Sequence, residues 1–187
     1  IRATGQAVTL NAGGKIDQQA GIEAGLLNLS ATDATLLSAG NRIDALGAVE
    51  VANLSLSTDS GLDLAGAISA SGAVSLAVNG RLTQSGGLIT APSLSLAASG
   101  GIDLGGTNQV DALTATNSGG SGDVRFVNGR TLTVNNLLSD HGDLTLRLTA
   151  GQLTLGGTVY SLGNMDLDVA GDIGGSASLD SRASLRA

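Results

Sequence analysis

Residues Ile68 to Leu104 read ISASGAVSLAVNGRLTQSGGLITAPSLSLAASGGIDL, and this stretch decides the fold. Short apolar alternations recur in it: Val74-Ser75-Leu76, Leu94-Ser95-Leu96 and Ile102-Asp103-Leu104, each set off by Gly, Ser or Asn. Alternation at period two over so few residues marks short strands with one buried face. The turn residues between them bend the chain every six to ten positions. From Val74 to Leu94 the step is close to one circuit of a β-solenoid.

Self-similarity extends this reading to the whole chain. Ile22-Glu-Ala-Gly-Leu-Leu-Asn-Leu29 aligns without a gap on Ile89-Thr-Ala-Pro-Ser-Leu-Ser-Leu96, 67 residues on. Asn41-Arg-Ile-Asp-Ala-Leu46 then matches Asn108-Gln-Val-Asp-Ala-Leu113 at the same step. Upstream, Ile1 matches Ile68, Val8 and Leu10 match Val74 and Leu76, and Ile16-Asp-Gln18 matches Leu82-Thr-Gln84. Downstream the step lengthens slightly. Leu54 and Leu56 fall on Val124 and Phe126, Leu62 to Leu64 on Leu132 to Val134, Val74 and Leu76 on Leu144 and Leu146, and Leu94 and Leu96 on Met165 and Leu167. The units run over about 1–67, 68–137 and a partial 138–187 within one solenoid segment. The step drifts where Gly and Ser accumulate, as at Asn117 to Gly122, where a turn tolerates insertion.

Ten or so strands fit in a unit, which at three strands per circuit predicts about three circuits of roughly 20–23 residues. Eight or nine circuits account for the chain, and at about 4.8 Å between parallel strands the rod is about 40 Å long. The expected inward residues are Val8, Leu10, Leu27, Leu29, Leu54, Leu56, Val74, Leu76, Leu94, Leu96, Ile102, Leu104, Val124, Phe126, Leu144, Leu146, Met165 and Leu167. A helix over Leu26 to Ile43 is disfavoured, because its counterpart follows directly on Pro92 and carries two glycine pairs. An antiparallel sandwich does not by itself explain a gapless 67-residue self-match.

Composition agrees. Among 187 residues there are 29 glycines, one proline, and Phe126 and Tyr160 as the only aromatic residues. A narrow solenoid interior is filled by stacked Leu, Val, Ile and Ala, and the 42% hydrophobic content argues against disorder. One circuit buries about five or six aliphatics worth about 1.5–3 kcal/mol each. Ordering some 20 residues costs about 1–2 kcal/mol per backbone, more than that burial returns, so a lone circuit does not fold, whereas in a stack each strand shares its ladder with a neighbour on both sides. Open strand edges at both ends call for caps or neighbours. The chain begins and ends mid-pattern, without an initiator Met or leader, and reads as a segment of something longer.

Several classes of function are disfavoured. The net charge is −7, with Lys15 the only lysine, so the surface repels phosphate backbones and anionic lipid; nucleic acid is not an expected partner. There is no cysteine for a disulfide or thiolate site, and no apolar run long enough for membrane insertion as a helix.

The runs Gly40-Asn-Arg-Ile-Asp-Ala-Leu46, Thr107-Asn-Gln-Val-Asp-Ala-Leu113, Ala115-Thr-Asn-Ser-Gly-Gly120, Val74-Ser-Leu-Ala-Val-Asn-Gly80 and Ile102-Asp-Leu-Gly-Gly106 resemble the repeats of filamentous-haemagglutinin-like exoproteins. These are very large bacterial proteins of two-partner secretion. The resemblance covers essentially the whole chain, and its degenerate motifs specify a repeat class. It implies a right-handed parallel β-helix passed through an outer-membrane transporter and displayed on the cell surface or released. Roles in adhesion, biofilm or delivery of a toxic tip follow from the same resemblance. That family's secretion domain and toxin have no counterpart in these residues.

Candidate chemistry is sparse. Asn41 and Asn108 occupy the same place in successive units and read as turn asparagines whose amides bond neighbouring backbone, with ligand contact as the alternative. His141, in Ser139-Asp-His-Gly-Asp143, reads as a solvated loop residue, having no second His or Cys to join it. Gly119-Gly-Ser-Gly-Asp123 resembles the calcium-binding nonapeptide, but occurs once, with Asp123 one position early. Asp63, Asp103, Asp166 and Asp168 sit mid-strand and point outward, where an acidic pair could serve a polysaccharide lyase or hydrolase. Tyr160 alone is a poor sugar platform. Outward Thr131, Thr133 and Thr145 read as good strand residues, and no regular Thr file supports ice binding.

The expected protein is a non-enzymatic shaft segment without cofactor or metal. Direct adhesion of its flank to host or neighbouring-cell glycans or receptors is the alternative, and end-to-end self-association a third.

Overall fold

The structure, a computed structural model, describes residues 1–187. It is all-β: 21 strands and no helix, joined in one continuous parallel sheet that coils into about nine stacked turns. The expected β-solenoid is the observed fold.

The middle of the chain shows how a circuit is made. Leu62–Leu64, Ile68–Ala70 and Ala73–Val78 form three faces, joined by short turns rich in Ser, Gly and Ala. In each strand alternate residues are buried, because the pleat sends successive side chains to opposite sides. The next circuit lies directly on this one: Leu82 pairs with Leu62, Ile89 with Ile68, and Leu94 with Val74. Pro92 is accommodated inside the ten-residue strand Ile89–Ala98, where the chain rounds a corner. The longest strand, Ile102–Asn117, turns through the faces of its circuit in 16 residues. Steps between register partners range from 18 residues, Ile16 to Ala34, to 22, Ile102 to Val124.

Stacking produces continuous inward files. On the first face, Leu62, Leu82, Ile102, Val124, Leu144, Met165 and Leu185 lie in register. Beside them run Leu104, Phe126, Leu146 and Leu167. The third face stacks Leu36, Leu56, Leu76, Leu96, Ala115, Leu137, Val159 and Leu179. One hydrophobic core of 43 residues results. It includes Leu27, Leu29, Leu54, Val74, Leu94, Leu104 and Phe126. Val8 and Leu10 differ from expectation: they face inward but are only partly buried, since the first circuit has a neighbour on one side alone. For the same reason the inward Ile173, Leu179 and Leu185 of the last circuit are exposed.

The relation between sequence unit and circuit also needs correction. A unit is not three circuits but three circuits and one face. Ile1, Ile22 and Asn41 stack at the start of the first face, by way of Glu23 N on Ile1 O and Arg42 N on Ile22 O. Their counterparts Ile68, Ile89 and Asn108 stack at the start of the second face, above Leu10, Leu29 and Val49. Val74 and Leu76 lie on the third face, whereas their matches Leu144 and Leu146 lie on the first face of a later circuit. Leu94 and Leu96 step to Met165 and Leu167 in the same way. Ten strands at three per circuit give this remainder of one, so each unit is rotated by a third of a turn on its predecessor.

Candidate functional site

The polar groups inside the coil gather at its corners. Asn41 and Asn108 are completely buried, each inside a corner and bonded to neighbouring circuits. Asn41 Oδ1 accepts from Ile22 N at 3.0 Å, while its Nδ2 donates to Leu36 O at 3.0 Å and Ser57 O at 2.9 Å. Asn108 repeats the pattern one corner on, accepting from Ile89 N at 2.9 Å and donating to Val127 O at 3.1 Å. Each is joined by a glutamine from an earlier circuit. Gln18 Nε2 donates to Asn41 Oδ1 and Gln84 Nε2 to Asn108 Oδ1, and both asparagine amides donate back to the glutamine Oε1. These are amide clamps spanning three circuits. Every buried amide atom is bonded, which is what permits such groups in an apolar stack.

Asn117 and Asn128 are also fully buried and were not singled out by the sequence. Asn117 bonds Gly101 N, Ser121 O and Gly122 O; Asn128 bonds Val110 N, Val110 O and Arg130 O. Beyond Asn117 the same corner continues as Ser139, Ser161 and Ser181, whose hydroxyls donate to turn carbonyls. The signal for Gln18 and Gln84 in the sequence is their coincidence in the self-alignment.

Three outward acids of the first face, Asp63, Asp103 and Asp168, are bonded to neighbouring circuits. Asp103 pairs with Arg81 at 3.3 Å and with Arg125 at 3.2 Å, and Asp168 pairs with Arg147 at 3.2 Å. Asp63 accepts from Thr83 Oγ1 and Ser85 N, both at 3.0 Å. Asp166 lies in register between Thr145 and Arg186. Direct register partners of opposite charge, such as Asp103 and Arg125, favour the observed stacking over a slipped one. Chemically, the arrangement holds circuits in alignment and does not converge the carboxylates on one point.

The remaining candidates are dispersed. Asp123 uses its Oδ1 to accept from Asp143 N at 2.9 Å, and Asp143 Oδ1 accepts in turn from Asn164 N at 2.8 Å, giving a ladder of turns. His141 is exposed in the turn that immediately precedes Asp143. Thr131 is exposed, and Thr133, Thr145 and Tyr160 are partly so, on different faces.

The third face is distinct. Over four circuits its outward positions are Asn53, Ser55, Ser57; Ala73, Ser75, Ala77; Ser93, Ser95, Ala97; and Ala112, Thr114, Thr116, with no charge among them. Ser55, Ser75, Ser95 and Thr114 are direct register partners. A shallow groove of about 320 Å³ runs along its edge, floored by Ala77 and Ala97 and walled by Asp59, Asn79 and Ser99. The wall is itself a ladder, with Asn79 Nδ2 on Asp59 Oδ1 at 2.7 Å and Ser99 Oγ on Asn79 Oδ1 at 3.2 Å.

These features define a parallel β-solenoid whose buried polar groups knit circuit to circuit. No protein-family model, curated protein or solved structure matches the chain.

Proposed function

We propose that the chain is a shaft segment of a large secreted, surface-displayed exoprotein of the filamentous-haemagglutinin-like kind, holding a binding or toxic element away from the cell. The observation that carries this reading is the uninterrupted stack, with one core and one ladder running through about nine turns. Stiffness follows, because bending such a rod would open hydrogen bonds on one side and compress packed side chains on the other. Rotation of successive units by one face points the same way, since it spreads any feature of the unit around the rod. In this reading the chain works without cofactor or metal, its partners are its neighbours in the parent molecule and, during export, an outer-membrane transporter. Small-angle scattering of the segment tests it, a rod about 40 Å long being expected.

A second reading is favoured by one specific feature. The uncharged Ser, Thr, Asn and Ala surface of the third face could meet a neutral glycan without charge conflict, making the segment itself an adhesin. A glycan-array screen separates the two. Saturable binding of one sugar class, lost in Ser75→Asp and Ser95→Asp variants, would replace the shaft reading by the adhesin.

A further inference from the structure

The step of three circuits and one face has a consequence for how such a shaft changes length. We infer that the sequence unit is an interchangeable screw element: adding or removing one unit moves everything beyond it by about 16 Å along the axis and about a third of a turn around it. The inference rests on the shaft reading for its use, but its geometry stands on the register alone.

Interchangeability requires that the three corners be structurally equivalent, and the amide clamps show that two of them are. Gln18 with Asn41 builds at the first corner what Gln84 with Asn108 builds at the second. The same backbone N–H, that of Ile22 or Ile89, is satisfied in both. The aligned neighbours agree: Ile22 sits on Ile1 as Ile89 sits on Ile68. Removing residues 22–88 joins Gly21 to Ile89. Ile89 then finds Ile1 beneath it in place of Ile68, and Asn108 finds Gln18 in place of Gln84. The clamp is rebuilt from one member of each pair, and the distal circuits redock one face round. A change of three units restores the original direction, whereas a change of one or two points a terminal element elsewhere. Reach and direction are therefore coupled through the number of units.

Disulfide trapping tests this, aided by the absence of native cysteine. Arg2 and Glu23 are register partners on adjacent circuits, so an Arg2→Cys, Glu23→Cys pair in the full chain is the positive control. Thr90 occupies the place of Glu23 one unit on. In the full chain Arg2→Cys and Thr90→Cys stand several circuits apart and should not cross-link. In the chain lacking 22–88 they should cross-link to the yield of the control, within a monomer that keeps its β circular dichroism. A second variant lacking residues 74–93 removes one whole circuit, joining Ala73 to Leu94, and should leave the distal direction unchanged. The inference is overturned if the 22–88 deletion folds without the cross-link. Failure of that deletion to fold overturns it too, whether or not the one-circuit deletion folds, because the corners are then not interchangeable. Glycan binding or a flexible particle would displace the shaft reading while leaving this cross-link as expected.

Discussion

Truncating Asn108 to alanine removes one amide clamp and leaves its surroundings in place. Asn108 Oδ1 satisfies Ile89 N at 2.9 Å and Gln84 Nε2 at 2.9 Å, and its Nδ2 satisfies Val127 O at 3.1 Å. The variant strands one backbone N–H and one carbonyl in a corner where Asn108, Ile89 and Val127 are all buried. Each unsatisfied buried group costs about 1–3 kcal/mol, so the expected loss is about 2–6 kcal/mol. Because circuits stabilise only their neighbours, the damage should concentrate in the circuits containing Ile89, Asn108 and Val127. Urea unfolding followed by site-resolved hydrogen exchange reads both quantities. Asn135→Ala, at the exposed register shift within the strand Leu132–Ser139, is the control and should stay within about 0.5 kcal/mol of the parent. A loss below about 1 kcal/mol for Asn108→Ala, or an Ile89 amide as protected as in the parent, would refute the assignment of the clamp.

Three further outcomes are expected. Leu76→Asp, which buries an unpaired carboxylate in the core, should unfold the adjoining circuits, whereas Ser75→Asp on the opposite side of the same strand should change stability little; thermal melts of both variants check the pleat. Phe126→Ala, opening a cavity between Leu104 and Leu146, should cost about 3–5 kcal/mol in denaturant titration. Gly122→Ala should destabilise, since Gly122 has φ of 94° and an added Cβ would lie 2.5 Å from Gly100 O, while Gly14→Ala meets nothing within 4 Å and should be tolerated; parallel melts compare them.

Much of this architecture was legible because the alternation around Val74, Leu94 and Ile102 encodes directly which side chains turn inward. Circuit length was legible from the recurrence of turns. What alternation does not encode is azimuth: Val74 and Leu144 look identical in sequence, yet one lies on the third face and the other on the first. Only the pairing of strands reveals that the unit closes a face late. The corner polar groups were partly legible. Asn41 and Asn108 stood out by repetition, but whether a turn amide faces solvent or the interior depends on the path of the backbone around it. Asn117 and Asn128 have no asparagine as repeated partner, and Asn117 stood out only as a member of the run Ala115 to Gly120, with nothing to mark its side chain as buried. At the first circuit, the periodicity of Val8 and Leu10 correctly gives their direction, while their degree of burial depends on how many circuits lie beside them.

If the stack is the stiff rod that the proposed shaft requires, one distance within it is fixed. Thr35, Ser55, Ser75, Ser95, Thr114 and Asn136 are successive register partners on the third face, so Thr35 and Asn136 are five circuits apart. Spin labels attached through Thr35→Cys and Asn136→Cys should give, by pulsed electron resonance, one narrow distribution near 24 Å once label length is allowed for. A broad or multiply peaked distribution would mean that the circuits hinge, and would contradict the shaft.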